Sequence, residues 1–291
     1  MNRTELMNRK KGKLRRSWLL TLTTDDHKVE KAAASSADVL ILDLTDSVVP
    51  ERKAEARDKV VRWLTGDNPF KGKQIVVKPN SLWSEWGRAD MQAVAGLPMD
   101  GLYYPDARSA DEVRQAQGWL DDAGSGAEII VLLEMTQAFL DIQQIAAVPR
   151  VTTLCHAQGD LAMNLGATLS DFRETMLFTA QQTVLVARAF GLDAIDTIMP
   201  SDLKDQDLVL RYIESSRRMG FNACSTFYGP HVDAINAAFT PSPKELEQAR
   251  EIVRRYEEVK REGRAAYVRE DGKWITVHQF RIATSLVDRF C

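Results

Sequence analysis

Eight short runs of apolar, often β-branched residues are spread along the chain, and most are followed by a longer stretch of helical periodicity. They are SWLLTL (17–22), DVLILDL (38–44), KQIVVKP (73–79), GLYYP (101–105), EIIVLLE (128–134), VTTLCHA (151–157), AIDTIM (194–199) and NACSTF (222–227). Within each run the apolar character is nearly continuous rather than alternating. A strand buried on both faces reads this way, as in a parallel sheet covered by helices. The intervening segments, among them DDHKVEKAAAS, ERKAEARDKVVRWL and SADEVRQAQGWLDD, have the composition of those helices. Eight strand-then-helix units is the count of a TIM (β/α)8 barrel. A doubly wound open sheet is the competing arrangement, but no glycine-rich dinucleotide or phosphate loop follows any run.

The barrel is expected to occupy residues 14–240. Residues 1–13 are basic and read as a solvated tail; the apolar run after them is short and cut by TTDD, which argues against a signal peptide or a membrane span. Residues 241–291 read as a C-terminal extension: a long charged helix, then an Asp271-Gly272 turn between β-type residues, as in a small hairpin. This extension is expected to pack on the barrel or on a neighbouring subunit. A net charge of −3 gives no electrostatic reason for nucleic acid as a partner, and the composition is that of a cytoplasmic globular protein. Cys155, Cys224 and Cys291 are far apart and lack the spacing of a zinc site or a disulfide framework.

In a TIM barrel the chemistry gathers at the C-terminal ends of the strands. Polar residues follow that demand: Asp43 and Asp46 after the second run, Lys78 and Asn80 after the third, Asp106 after the fourth, Glu134 ending the fifth, His156 and Asp160 at and after the sixth, Asp196 in the seventh. Glu134 and Asp160 lie on consecutive units, so their carboxylates would converge. Two carboxylates, waters and a chelating oxygen substrate make a suitable shell for magnesium, with manganese as the alternative hard ion. The competing reading has each acid capping the helix that follows it. Lys78 is the cationic counterpart for a substrate carboxylate or an enolate oxygen, unless it only reaches out to solvent. His156 is a candidate general base or a hydrogen-bonded core residue. Asp196 serves the site or a structural ion pair, and Trp83 and Trp86 either cover the pocket or cap the core. Arg52, Lys53 and Arg57 are candidate phosphate contacts or ordinary solvated surface.

The ordered set RRSWLL, ADVLILDLTDSVVPERKAEAR, VVKPN, WGRADMQAVAGLPMDGLYYP, IIVLLEM, GDLAMNLG, VARAFGLDAIDTI and AINAAFTPSPKELEQAREIV resembles the HpcH/HpaI aldolase and citrate lyase family, in its citrate lyase β-subunit branch. The resemblance implies a TIM barrel, trimers or hexamers, and magnesium-dependent making or breaking of carbon–carbon bonds in 2-oxo acids or acyl-CoA thioesters such as citryl-CoA and malyl-CoA. It places the metal-binding acids on Glu134 and Asp160. Arg16, Asp46, Lys78, Asn80 and Asp196 become candidate substrate contacts, and Lys78, His156 and Tyr228 candidate catalytic groups.

The chain departs from the family pattern at several positions. Thr45 replaces a glutamate, Lys78 an arginine, and Asp106 the lysine after a proline; Ala157 and Gly159 replace a glycine and a glutamate. Phe227, Tyr228 and Gly229 stand for Ile-His-Pro, and Thr276 for the acid that CoA-dependent members lend to a neighbouring subunit. Two functions are consistent with this record: a magnesium-dependent lyase of altered specificity, or a degenerate member that binds a ligand or partner without turnover.

Overall fold

A computed structural model describes residues 3–10, 12–171 and 173–290. Its centre is a closed barrel of eight parallel strands in sequential order, with β8 pairing back to β1. The strands are β1 (Ser17–Leu22), β2 (Val39–Asp43), β3 (Gln74–Lys78), β4 (Gly101–Tyr104), β5 (Glu128–Leu133), β6 (Val151–His156), β7 (Asp193–Thr197) and β8 (Ala223–Thr226). Each coincides with one of the eight apolar runs, shortened by a residue or two in most cases.

Helices surround the barrel. They are α1 (Arg3–Lys10), α2 (Asp26–Ala34), α3 (Lys53–Thr65), α4 (Gly87–Val94), α5 (Ala110–Asp122), α6 (Thr136–Leu140), α7 (Ile142–Ala147), α8 (Gln158–Leu165), α9 (Leu177–Ala189), α10 (Gln206–Met219) and α11 (Val232–Ala238). Several starts follow from local chemistry: the side chains of Asp25, Ser109 and Asp205 accept the amides of Lys28, Glu112 and Leu208 and so cap α2, α5 and α10.

Strand alternation sorts the buried residues into two layers. Trp18, Val39, Ile41, Val76, Tyr103, Ile130, Leu132, Cys155, Ile195 and Ala223 form one cluster inside the barrel. Leu40, Leu42, Val77, Leu102, Leu154 and Ala194 belong to the larger layer between strands and helices. Inside, Trp18 packs on Tyr103 with ring centroids 6.0 Å apart. The N-terminal end is closed by Arg15, stacked on Trp18 and paired with Glu128 at 2.5 Å.

The N-terminal segment departs from the expected solvated tail. Residues Arg3–Lys10 are helical, Leu6 is buried, and the Arg3 guanidinium donates to the carbonyls of Val151 (3.0 Å), Val148 (2.7 Å) and Ala146. Ala146 lies in the last turn of α7 and Val148 is its C-cap, so a cation suits the position.

Residues 240–290, together with residues 10, 12 and 13, form a second compact unit. It contains α12 (Pro243–Arg261), an antiparallel hairpin of β9 (Tyr267–Val268) and β10 (Trp274–Ile275), and α13 (Val277–Phe290). Ser242 and Glu245 form a reciprocal capping box at the start of α12. The Tyr256 and Phe280 rings stack at 4.7 Å, joining the two helices. The hairpin expected around Asp271-Gly272 is present, with Gly272 at φ +79°.

Candidate active site

At the C-terminal end of the barrel a cavity of about 180 Å³ is lined by Lys78, Tyr103, Glu134, Asp160, Thr197 and Ser225, with Leu20, Ile41, Leu132 and Phe227 among its apolar walls. Parity places the charged groups there. Counting in steps of two, Ile130 and Leu132 lead to Glu134, and Val76 leads to Lys78, so both side chains face inward.

Neither acid is a helix cap. Met135 is the N-cap of α6 and Ala157 that of α8, while Asp160 lies within the first turn of α8. Glu134 accepts the Asp106 amide at 2.6 Å. Burial is the largest influence on its carboxyl; partly offset by Lys78, it pushes the pKa up to about 7. A desolvated carboxylate of this kind gains from a cation.

Lys78 is buried, which works against its charge, but Glu134, Asp43, Asp46 and Asp160 outweigh burial and raise its pKa. Its ammonium lies 3.9 Å from the exposed Asp46 carboxylate. Lys78 is therefore a fixed cation and not an amine nucleophile. Asp106 adopts φ +50°, a left-handed conformation uncommon outside glycine, and burial raises its pKa.

The other predicted residues lie elsewhere. His156 and Asp196 are correctly placed on adjacent strands but follow Cys155 and Ile195, which point inward, so both turn out toward the helices. His156 Nδ1 meets Asp196 at 3.1 Å and its Nε2 meets the Thr179 hydroxyl at 3.0 Å. Asp196 also pairs with Arg173 at 2.6 Å and accepts from Ser216 at 2.6 Å. Burial disfavours its charge, yet Arg173 and His156 prevail and hold its pKa below the ordinary carboxylate value. This is a buried structural network, so His156 is not a general base of the mouth and Asp196 is not a substrate contact.

Asn80 is also committed. Its amide donates to Leu44 O and Asp90, and its side-chain oxygen accepts from Lys53. Arg16 precedes β1, at the opposite end of the barrel, and is paired with Asp38 at 2.8 Å. Lys53 is buried with its ammonium on Leu44 O, Thr45 O and Asn80, and Arg57 is paired with Asp90 at 2.7 Å. Arg52 binds Glu55 at 2.7 Å and Thr24 O at 3.0 Å. None of these three is a spare phosphate contact.

Tyr228 lines a neighbouring cavity of about 380 Å³ with Lys204, Gln206 and His231 rather than the acidic mouth. Trp83 is half exposed beneath the Arg108 guanidinium at 3.7 Å, and Trp86 packs on Lys53, so neither lines the mouth. Thr45, in the glutamate's place, donates its amide and hydroxyl to Asp43 at 3.0 and 2.7 Å. Thr276 binds Gln279 at 2.7 Å at the start of α13. Tyr103, Thr197 and Ser225 also line the mouth, and their only signal in the sequence is inward parity near a strand's C-terminal end.

Residues 16–228 match the family described as HpcH/HpaI aldolase/citrate lyase. The chain belongs to that family. Among members of the HpcH/HpaI family, a (3S)-malyl-CoA thioesterase of Cereibacter sphaeroides is 32% identical over 260 residues, covering 89% of this chain and 88% of the relative. The mitochondrial citramalyl-CoA lyase of Mus musculus is 25% identical over 274 residues, covering 87% and 79%. CitE from Mycobacterium tuberculosis, solved with magnesium, acetoacetate and coenzyme A, superposes with a TM-score of 0.76 at 24% identity, covering 94% of this chain and 97% of that one. A citrate lyase from Burkholderia xenovorans gives 0.83 at 14% identity, covering 99% and 94%; these two likenesses show the fold.

Among the described residues, no group of three or more His, Cys, Asp and Glu side chains is arranged to hold a metal. The donor set at the mouth fits magnesium nonetheless, because that ion takes one or two carboxylates and completes its octahedron with water and substrate. No helix of the described residues is long and apolar enough to cross a membrane.

Proposed function

We propose that this chain is a magnesium-dependent carbon–carbon lyase acting on a short 2-oxo acid or a β-hydroxyacyl-CoA thioester of the malyl-CoA or citryl-CoA kind. The observation that carries the reading is the convergence of Glu134, Asp160 and Lys78 on one small cavity at the C-terminal end of the barrel. Glu134 and Asp160 would hold the metal. Bound there, magnesium polarises a carbonyl oxygen and offsets enolate charge.

The remaining roles fall to side chains of this protein. Lys78, kept protonated by four carboxylates, neutralises the substrate carboxylate, and its permanent charge disfavours a Schiff-base route. The cavity admits a small acid head, and the apolar walls from Leu20, Ile41, Leu132 and Phe227 exclude water from it. A CoA arm would extend beyond it. Assembly into a homotrimer or hexamer belongs to the same proposal, supported by the exposed side chains of Leu140, Met163 and Phe178 on α6, α8 and α9.

Thioester hydrolysis is the second reading, favoured by the malyl-CoA thioesterase relative. One assay separates the two. With malyl-CoA and magnesium, a lyase releases glyoxylate and acetyl-CoA, whereas a thioesterase releases malate and free CoA. Asp160→Asn is expected to abolish metal uptake and turnover together; metal binding undiminished in that variant would overturn the assignment.

A further inference from the structure

The floor of the mouth carries a cluster that neither the family pattern nor the acidic residues explain. Tyr103 rises from β4 with its ring on Trp18 and is one of the residues lining the cavity. That hydroxyl meets the Cys155 thiol at 3.0 Å, with the Ser225 hydroxyl beside it. Ser225 donates its own proton to Thr197 Oγ1 at 3.1 Å, and Thr197 lies 3.6 Å from the Cys155 sulfur.

A buried tyrosine hydroxyl ordinarily finds a strong partner. Here the partner at 3.0 Å is a sulfur, a weak acceptor, so its proton can turn to a ligand oxygen at small cost. The phenol is also locked in its neutral form: burial first, then Cys155, raises its pKa well above 10. A neutral donor that cannot ionise, set in an apolar wall close to Glu134, is suited to an oxygen that gains negative charge.

We propose that Tyr103 is a catalytic oxyanion donor, its hydroxyl binding the enolate oxygen of a 2-oxo acid or thioester as the carbon–carbon bond breaks. The inference rests on the lyase reading above. Tyr103 itself transfers no proton: the substrate hydroxyl gives its proton to a solvent base, its O–H electron pair becomes the new carbonyl bond, the pair of the breaking carbon–carbon bond moves onto the enolate oxygen, and the Tyr103 O–H strengthens its hydrogen bond to that oxygen. Cys155 is a positioning residue that keeps the proton loosely held.

The test compares a ground-state ligand with an enolate mimic. Calorimetry in magnesium measures the binding of pyruvate and of oxalate, a planar dianion resembling the pyruvate enolate, to the intact protein and to Tyr103→Phe. Oxalate affinity is expected to fall about 10- to 100-fold, while pyruvate affinity changes less than about twofold. Where carbon–carbon cleavage is measurable, kcat falls with KM little changed. Equal losses for both ligands, or none for either, would overturn the role. Cys155→Ser offers the phenol a stronger acceptor and is expected to weaken oxalate selectively by about threefold; unchanged selectivity there also counts against the proposal. Because oxalate binding does not depend on turnover, a failure of the lyase reading remains distinguishable from a failure of Tyr103.

Discussion

Replacing Glu134 by glutamine removes a buried charge while keeping the oxygen that accepts the Asp106 amide. In the metal-free protein the Glu134 carboxyl is raised from 4.5 to about 7, chiefly by burial. Between those values the folded state binds more protons than the unfolded one, so stability is full at low pH and declines as pH rises through 7. At about 1.4 kcal/mol per pH unit the decline amounts to about 3.5 kcal/mol as an upper bound. Denaturant titrations in chelator at pH 5, 6, 7 and 8 are expected to show wild type falling relative to Glu134→Gln by up to that amount, with most of the divergence between pH 5 and 7. Magnesium at 100 times its Kd restores about 3 kcal/mol to wild type at pH 8 and far less to the variant. Stability curves that stay parallel from pH 5 to 8 would refute the reasoning, because a carboxylate that costs nothing to charge has no use for a compensating cation.

Lys78→Met is expected to lower kcat/KM by about 10²-fold or more, since the substrate carboxylate loses its fixed counter-charge; borohydride with substrate should trap no adduct on the wild-type lysine. Asp196→Asn is expected to cost about 3–5 kcal/mol in denaturant unfolding by stranding Arg173, while magnesium affinity at pH 7.5 stays within about twofold of wild type. A large loss of metal affinity with unchanged stability would return Asp196 to the site.

The fold was legible because a strand covered on both faces has to be apolar at nearly every position, and the eight runs carry that mark without reference to their partners. Glu134 and Lys78 were legible for a related reason. Each ends a run whose interior supplies no competing polar residue, so a charge there needs an open mouth or a partner. His156 and Asp196 were misread because β6 and β7 carry polar residues on both faces. Cys155 faces the barrel interior and His156 the helices, while the neighbouring Thr152 and Thr153 hydroxyls meet at 3.4 Å, and nothing local says which is which. A shift of pairing register between Ile129 and Ile130 on β5 removes even the option of counting from the neighbouring strand. Arg3 and Leu6 were invisible for want of periodicity: one leucine in eight mostly polar residues does not mark a helix that docks. Tyr103 and Ser225 lie inside strand runs and carry no mark of their own, because which strand ends stand opposite them is not local information.

The Asp106 contact has a consequence for how this mouth can diversify. Glu134 is held by the backbone of residue 106 and not by its side chain, so any residue that tolerates the left-handed turn preserves the carboxylate's support. A charge reversal at that position thereby leaves Glu134 anchored while it rewrites the potential felt by whatever enters. Residue 106 thus has two separable parts: its amide fixes the Glu134 carboxylate, and its side chain adds a charge to the field shared by Lys78 and Asp160.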